Sequence, residues 1–189
     1  MYTRTGSCLL IMLLALGLAG CPPPEFADAP FISFKDIRSI PRPNKDSLII
    51  SITYRDGTGD LGLGPNDTDP PFDAEPYRYN YHITAYKRLG RNAQGEVNYK
   101  LVQFPTPDIT FNGRFPVLKP DGKAGPIEGD LDYSIPIEFP LDLTNERYIL
   151  PGDTLRFDIF IYDRGERGGR QQPNQSNIIT TGEVIVLKR

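Results

Sequence analysis

Six acidic residues, Asp56, Asp60, Asp67, Asp69, Asp73 and Glu75, fall within twenty positions, and no basic residue stands between Arg55 and Arg78. Asp56, Thr58 and Asp60 occupy positions 1, 3 and 5 of a calcium-loop pattern, where oxygen ligands are spaced to wrap one hard cation. Gly57, Gly59 and Gly62 permit the tight backbone that such wrapping needs. The pattern departs from an EF-hand at three places. Position 3 is Thr, a weaker ligand than Asp; position 6 is Leu61 where an EF-hand has Gly; position 12 is Asp67, too short for the usual bidentate Glu. Any Ca²⁺ affinity is therefore expected to be low. The Asp-Gly pairs also fit turn-making without a metal, and both readings stand at this point.

Other chemistry has thinner support. His82 is the only histidine and both cysteines lie in the first 21 residues. This argues against a nucleophile paired with a base and against zinc, which takes several Cys or His ligands. Asp130 and Asp132 point to one side of a strand and Asp158 to an outward face, so a glycoside hydrolase using two carboxylates is an alternative. Solvated acids on a sheet face are the plainer reading. Arg164, Arg167 and Arg170 share a Gly-rich stretch with Gln171, Gln172 and Asn174, a donor-rich surface for an anionic partner or simply a solvated loop. The net charge of −3, from 21 Lys and Arg against 24 Asp and Glu, argues against nucleic acid, whose phosphates need a clustered basic surface.

The elements that must position these residues read as strands. Leu48, Ile50, Ile52 and Tyr54 alternate with Ile49, Ser51, Thr53 and Arg55; Tyr77, Tyr79, Tyr81, Ile83 and Ala85 alternate with Arg78, Asn80, His82, Thr84 and Tyr86. Leu131 to Phe139 and Leu155 to Ile161 repeat the pattern, and strict alternation means one buried and one wet face. The tyrosine stripe Tyr77, Tyr79, Tyr81 invites a glycan-stacking reading, but its alternation places it toward the core. Phe31 to Ile40, Val97 to Phe104 and Ile178 to Leu187 bring the total to about seven strands, with a weaker one near Phe115 to Leu118. Turn chemistry at Asn92-Ala93-Gln94-Gly95, Pro120-Asp121-Gly122 and Pro151-Gly152-Asp153 separates them. The expectation is an all-β, immunoglobulin- or fibronectin-III-like antiparallel sandwich. In that arrangement the second-to-third and sixth-to-seventh strand loops share one end, so Asp163 would close a site opened by Asp56 and Asp60, with Asn177 nearby. The plainer reading has Asp163 and Asn177 bracing their own loop through Asx-turns.

Met1 to Gly20 reads as an export signal. Arg4 precedes the apolar run Leu9 to Leu16, which is too short for the roughly 20 residues of a spanning helix. Leu18-Ala19-Gly20-Cys21 resembles the bacterial lipobox, which implies lipid on Cys21 and membrane attachment through it. Cys8 would leave with the signal, so no disulfide is available to the mature chain. Loss of Arg4 leaves 20 basic against 24 acidic residues, a charge near −4. Four prolines between Pro22 and Pro30 favour an extended spacer. Residues 1–20 are thus the signal, 21–30 the lipidated Cys and spacer, and 31–189 the sandwich.

Two further blocks carry a resemblance. Gly152-Asp153-Thr154-Leu155-Arg156-Phe157-Asp158-Ile159-Phe160-Ile161-Tyr162-Asp163-Arg164, followed by Ser176-Asn177-Ile178-Ile179-Thr180-Thr181, looks like the last two strands of bacterial Ig-like domains. Tyr54 to Leu63 is similar to the Asp-Gly-Asp-Gly-Asp-hydrophobic-Gly segment of Bacteroidota lipoproteins. With the lipobox, these blocks cover under a third of the chain. The resemblance implies a cell-envelope lipoprotein, in the outer membrane with either leaflet open, and carries over no activity. Asp46-Ser47-Leu48 and Asp153-Thr154-Leu155 resemble the short O-glycosylation motif of the same phylum. The function expected is a non-catalytic interaction module with a protein or glycan partner, Ca²⁺-stabilised in one version. The alternatives are the carbohydrate-active hydrolase and a structural subunit that completes an envelope complex through an edge strand.

Overall fold

The computed structural model describes residues 25–42, 45–104, 109–119, 123, 125–138, 149–165 and 172–186. Cys21, the signal segment, Arg167 and Arg170 lie outside the described residues. Eight strands form: β1 (Phe31–Arg42), β2 (Lys45–Asp56), β3 (Tyr81–Arg91), β4 (Val97–Leu101), β5 (Ile127–Glu138), β6 (Thr154–Ile161), β7 (Ile179–Thr180) and β8 (Val184–Ile185). No helix occurs among the described residues. One antiparallel sheet has the order β1-β2-β5; the other runs β4-β3-β6, with β7 and β8 both pairing to β6. The two pack face to face as a β-sandwich.

Alternation sets the packing. Leu48, Ile50 and Ile52 of β2 and Leu155, Phe157, Ile159 and Ile161 of β6 are fully buried, while the residues between them face outward. Each such aliphatic or Phe side chain contributes about 1.5–3 kcal/mol on leaving water. Tyr81 of β3 stacks on Tyr133 of β5 with centroids 4.2 Å apart, so one aromatic pair spans the two sheets. On the outer face of the first sheet, Asp130 pairs with Lys35 at 2.5 Å and Asp132 with Arg38 at 3.1 Å. Ser51 Oγ also donates to Asp132, and with Arg38 it holds that carboxyl below its ordinary range. Both carboxylates are ion-pairing groups at the surface.

Three elements differ from the sequence reading. The third strand starts at Tyr81, and Tyr77 and Tyr79 stay half-buried in the preceding loop, because Arg114 takes the Arg78 carbonyl that a ladder would use. Tyr77 instead meets Tyr162 edge-on at 5.0 Å. The segment around Phe115 is no regular strand. Asn80 pairs through its side-chain amide with both Phe115 N–H and C=O, while Leu63 N–H reaches the Phe115 carbonyl and Leu118 N–H that of Leu61. The last strand is split, since the Thr181 hydroxyl accepts the Phe157 N–H between β7 and β8.

The register fixes which loops share an end. Phe31 faces Arg55, Asp56 faces Ile127, and Tyr81 faces Ile161. The segments 57–80, 109–119, 162–165 and 172–178 therefore gather at one end with the chain's entry at residues 25–30. The C-terminal ends of β1 and β3, at Arg42 and Arg91, lie at the other.

Candidate metal centre

The turn after β2 winds around one carboxylate. Asp56 Oδ2 accepts the Gly59 N–H at 2.5 Å and the Asp60 N–H at 3.1 Å, which closes Asp56–Asp60 into a tight loop. Gly59 sits at φ 71°, and a Cβ there would lie 2.2 Å from the Gly125 carbonyl oxygen, so no other residue fits. The Thr58 hydroxyl donates to Asp60 Oδ1 at 2.5 Å and also lies 3.2 Å from Asp56 Oδ2. A hydroxyl has one proton to give, so it serves one of the two carboxylates and leaves their repulsion largely in place.

The third acid arrives from the other sheet. Asp163 follows β6, and Leu61 and Asp163 form an isolated antiparallel bridge, with Arg164 N–H donating to the Asp60 carbonyl at 3.3 Å. Asp56, Asp60 and Asp163 are all buried, at 0%, 4% and 1% exposure. Each offers one carboxylate oxygen, and these atoms all lie within 4.8 Å of one another. Oxygens that share one Ca²⁺ at about 2.3–2.6 Å can be no more than about 4.6–5.2 Å apart, and the three carboxylates meet that limit.

Burial pushes the Asp56 carboxyl up to about 6, with the Asp60 charge adding to the effect against the Gly59 and Asp60 N–H bonds. Burial likewise raises Asp163 to about 6, opposed by its bonds from Asn174 and reinforced by Asp60. Asn174 donates to Asp163 through its backbone N–H and its side-chain amide, each at 2.6 Å. Asp60 Oδ2 is buried and has no hydrogen-bond donor among the described residues. A buried carboxylate oxygen without a donor is costly, and here it belongs to a group of three acids. A hard divalent cation would satisfy all of them with oxygen ligands alone.

The other residues singled out in the sequence are placed differently. Asp67, position 12 of the loop pattern, accepts the Gly64 N–H at 2.6 Å and lies 3.9 Å from Arg164 Nε, so Asp163 rather than Asp67 completes the acid group. Arg164 therefore braces the acidic loop from across the sandwich. Asn177 stands outside the cluster: its amide accepts the Ile32 N–H at 2.8 Å and donates to the Ile32 carbonyl at 2.9 Å, joining the two sheets. His82 is buried beneath Phe160, with parallel rings 4.7 Å apart.

Sequence reasoning missed two supports of the site, Asn174 as the partner of Asp163 and Arg114. The Arg114 guanidinium donates to the carbonyls of Arg78, Asp67 and Phe72 at 2.6, 2.9 and 2.8 Å, pinning the long loop at three points. The only advance signal was a lone arginine opposite an acidic loop. The chain matches no protein-family model, no curated protein and no solved structure.

Proposed function

We propose that this chain is an exported outer-membrane lipoprotein, anchored through lipid on Cys21, that carries one non-catalytic Ig-like sandwich. Its loops at one end bind a protein or glycan partner and are held in shape by Ca²⁺. The observation that carries this reading is the meeting of Asp56, Asp60 and Asp163, buried together, with no donor to Asp60 Oδ2 among the described residues. A cation there ties the loop after β2 to the loop after β6 and removes the repulsion among three acids. The order β1-β2-β5 facing β4-β3-β6 supports the Ig-like assignment, with β2 and β5 standing where strands B and E stand and β3 and β6 where C and F stand. The lipobox-like Leu18-Ala19-Gly20-Cys21 supports the anchor.

The mechanism is presentation. Packed sheets fix the loop bases, Arg114 and the cation fix the loops themselves, and a rigid surface binds without the entropy cost of ordering. Thermal melting of the mature chain in EDTA and then in millimolar Ca²⁺ tests the reading. Extracellular modules bind Ca²⁺ with dissociation constants of about 0.1–1 mM. At ten times that constant, linkage gives about 1.4 kcal/mol, or about 3 °C in a domain of this size. No shift overturns the cation reading. Cys21→Ser, expected to release the protein from membranes, tests the anchor separately.

A further inference from the structure

The chain enters the sandwich at the acidic end. Gly57 N–H donates to the Ala27 carbonyl at 2.9 Å, and the Arg55 guanidinium stands 5.8 Å from the centroid of the Phe26 ring, a cation–π contact. The backbones approach so closely that a Cβ on Gly57 would lie 2.4 Å from the Phe26 carbonyl oxygen and 2.7 Å from that of Ala27. Pro30 is buried as well. Phe26, Ala27 and Pro30, in the stretch expected to be an extended spacer, thus touch the domain.

Arg55 and Gly57 flank Asp56. The same three residues at the end of β2 grip the tether with two members and supply a cation ligand with the third. Cys21 stands six positions before Ala27, a reach of about 20 Å at full extension. The opposite end of the sandwich lies one strand further off, and the 12 residues of β2 span about 40 Å. A lipid on Cys21 therefore keeps the acidic end near the membrane, not the far turns.

We propose that the cation site is also the latch of the tether. With the ion bound, the Asp56–Asp60 turn is fixed, Arg55 and Gly57 hold Phe26 and Ala27, and the loop surface faces the membrane side. Without it, the three carboxylates repel, the turn loosens, and the tether detaches so that the domain swings about Cys21. The loops then meet partners lying at the membrane surface in one state and away from it in the other. This inference rests on the reading of Cys21 as the anchor and of the acid group as a Ca²⁺ site.

A nitroxide on Glu25→Cys in the lipidated chain, held in detergent micelles, reports the tether directly; one on Gln94→Cys in the far turn is the control. Spectra are recorded in EDTA and in 5 mM Ca²⁺, well below melting, alongside the melts. The expected result is a label at position 25 that is immobilised several-fold by Ca²⁺, with no change at position 94. Arg55→Ala should keep the Ca²⁺-induced melting shift and lose most of the immobilisation. A melting shift with no Ca²⁺ effect at position 25 overturns the latch and leaves the cation site standing. Absence of any melting shift overturns the cation site and the latch together.

Discussion

Two carboxyls of the acid group hold protons far more readily than free aspartates. Asp56 and Asp163 are each raised to about 6, by burial first in both cases. In the unfolded chain both return to the ordinary aspartate value of 3.8. Between about pH 4 and 6 the folded protein therefore binds more protons than the unfolded one, and stability from this cause falls as pH rises through that window. The expected outcome in EDTA is a higher melting temperature at pH 5 than at pH 7.5. Ca²⁺ needs the ionised carboxylates, so its stabilising effect should run the other way, growing from pH 5 to pH 7.5. Scanning calorimetry at both pH values with and without Ca²⁺ reads both trends. Asp60→Asn removes one charge of the three while its amide oxygen still accepts the Thr58 hydroxyl. It should raise the EDTA melting temperature at pH 7.5 by about 2–4 °C, roughly 1 kcal/mol, and abolish the Ca²⁺ shift. A variant less stable in EDTA that still responds to Ca²⁺ would contradict this account.

At the scale of elements, the strands and the first three site residues were legible because each has a local period. Alternation in Leu48–Tyr54 and Leu155–Ile161 is one residue deep, and Asp56, Thr58 and Asp60 lie on consecutive odd positions of one turn. Asp163 was legible only through topology, since strands two and six must end at the same side of a sandwich. Arg114, Asn80, Asn174 and Asn177 were not legible as supports, because each bonds a backbone or carboxylate group far away and leaves no periodic trace. The same reason explains why Tyr77 and Tyr79 alternate like a strand and yet lie in a loop: a side chain from position 114 claims the carbonyl of Arg78. Arg114 is thus the element-level test. Arg114→Met keeps the stem and deletes three donors, with an expected loss of about 2–3 kcal/mol. Arg114→Lys should recover little, because a point charge cannot bond three carbonyls in the plane of a guanidinium. Limited proteolysis should then cut between Asp67 and Arg78 before the sheets unfold. Global unfolding with no early cut there would mean the loop is held by something else.

For the whole molecule, no cysteine follows Cys21, so the sandwich is held without an internal disulfide. Its two sheets are joined by the Tyr81–Tyr133 stack, by the Asn177–Ile32 pair and by the acid group. The acid group differs from the other two: with all three carboxylates ionised it works against the fold, and a cation there would offset that repulsion. Asp60 and Asp163 are 103 positions apart in the chain and come from loops that follow strands of different sheets. A bound cation would fix the geometry of the loop end and, in the proposed reading, the shape of its binding surface. These distant residues are expected to act as one site. Calorimetric titration of the mature chain with Ca²⁺, beside Asp163→Asn and Asp60→Asn, tests it most directly. One ion per chain is expected, with a dissociation constant of about 0.1–1 mM, and no binding in either variant. Binding that survives Asp163→Asn, or no heat up to 10 mM Ca²⁺ in the native chain, would contradict it.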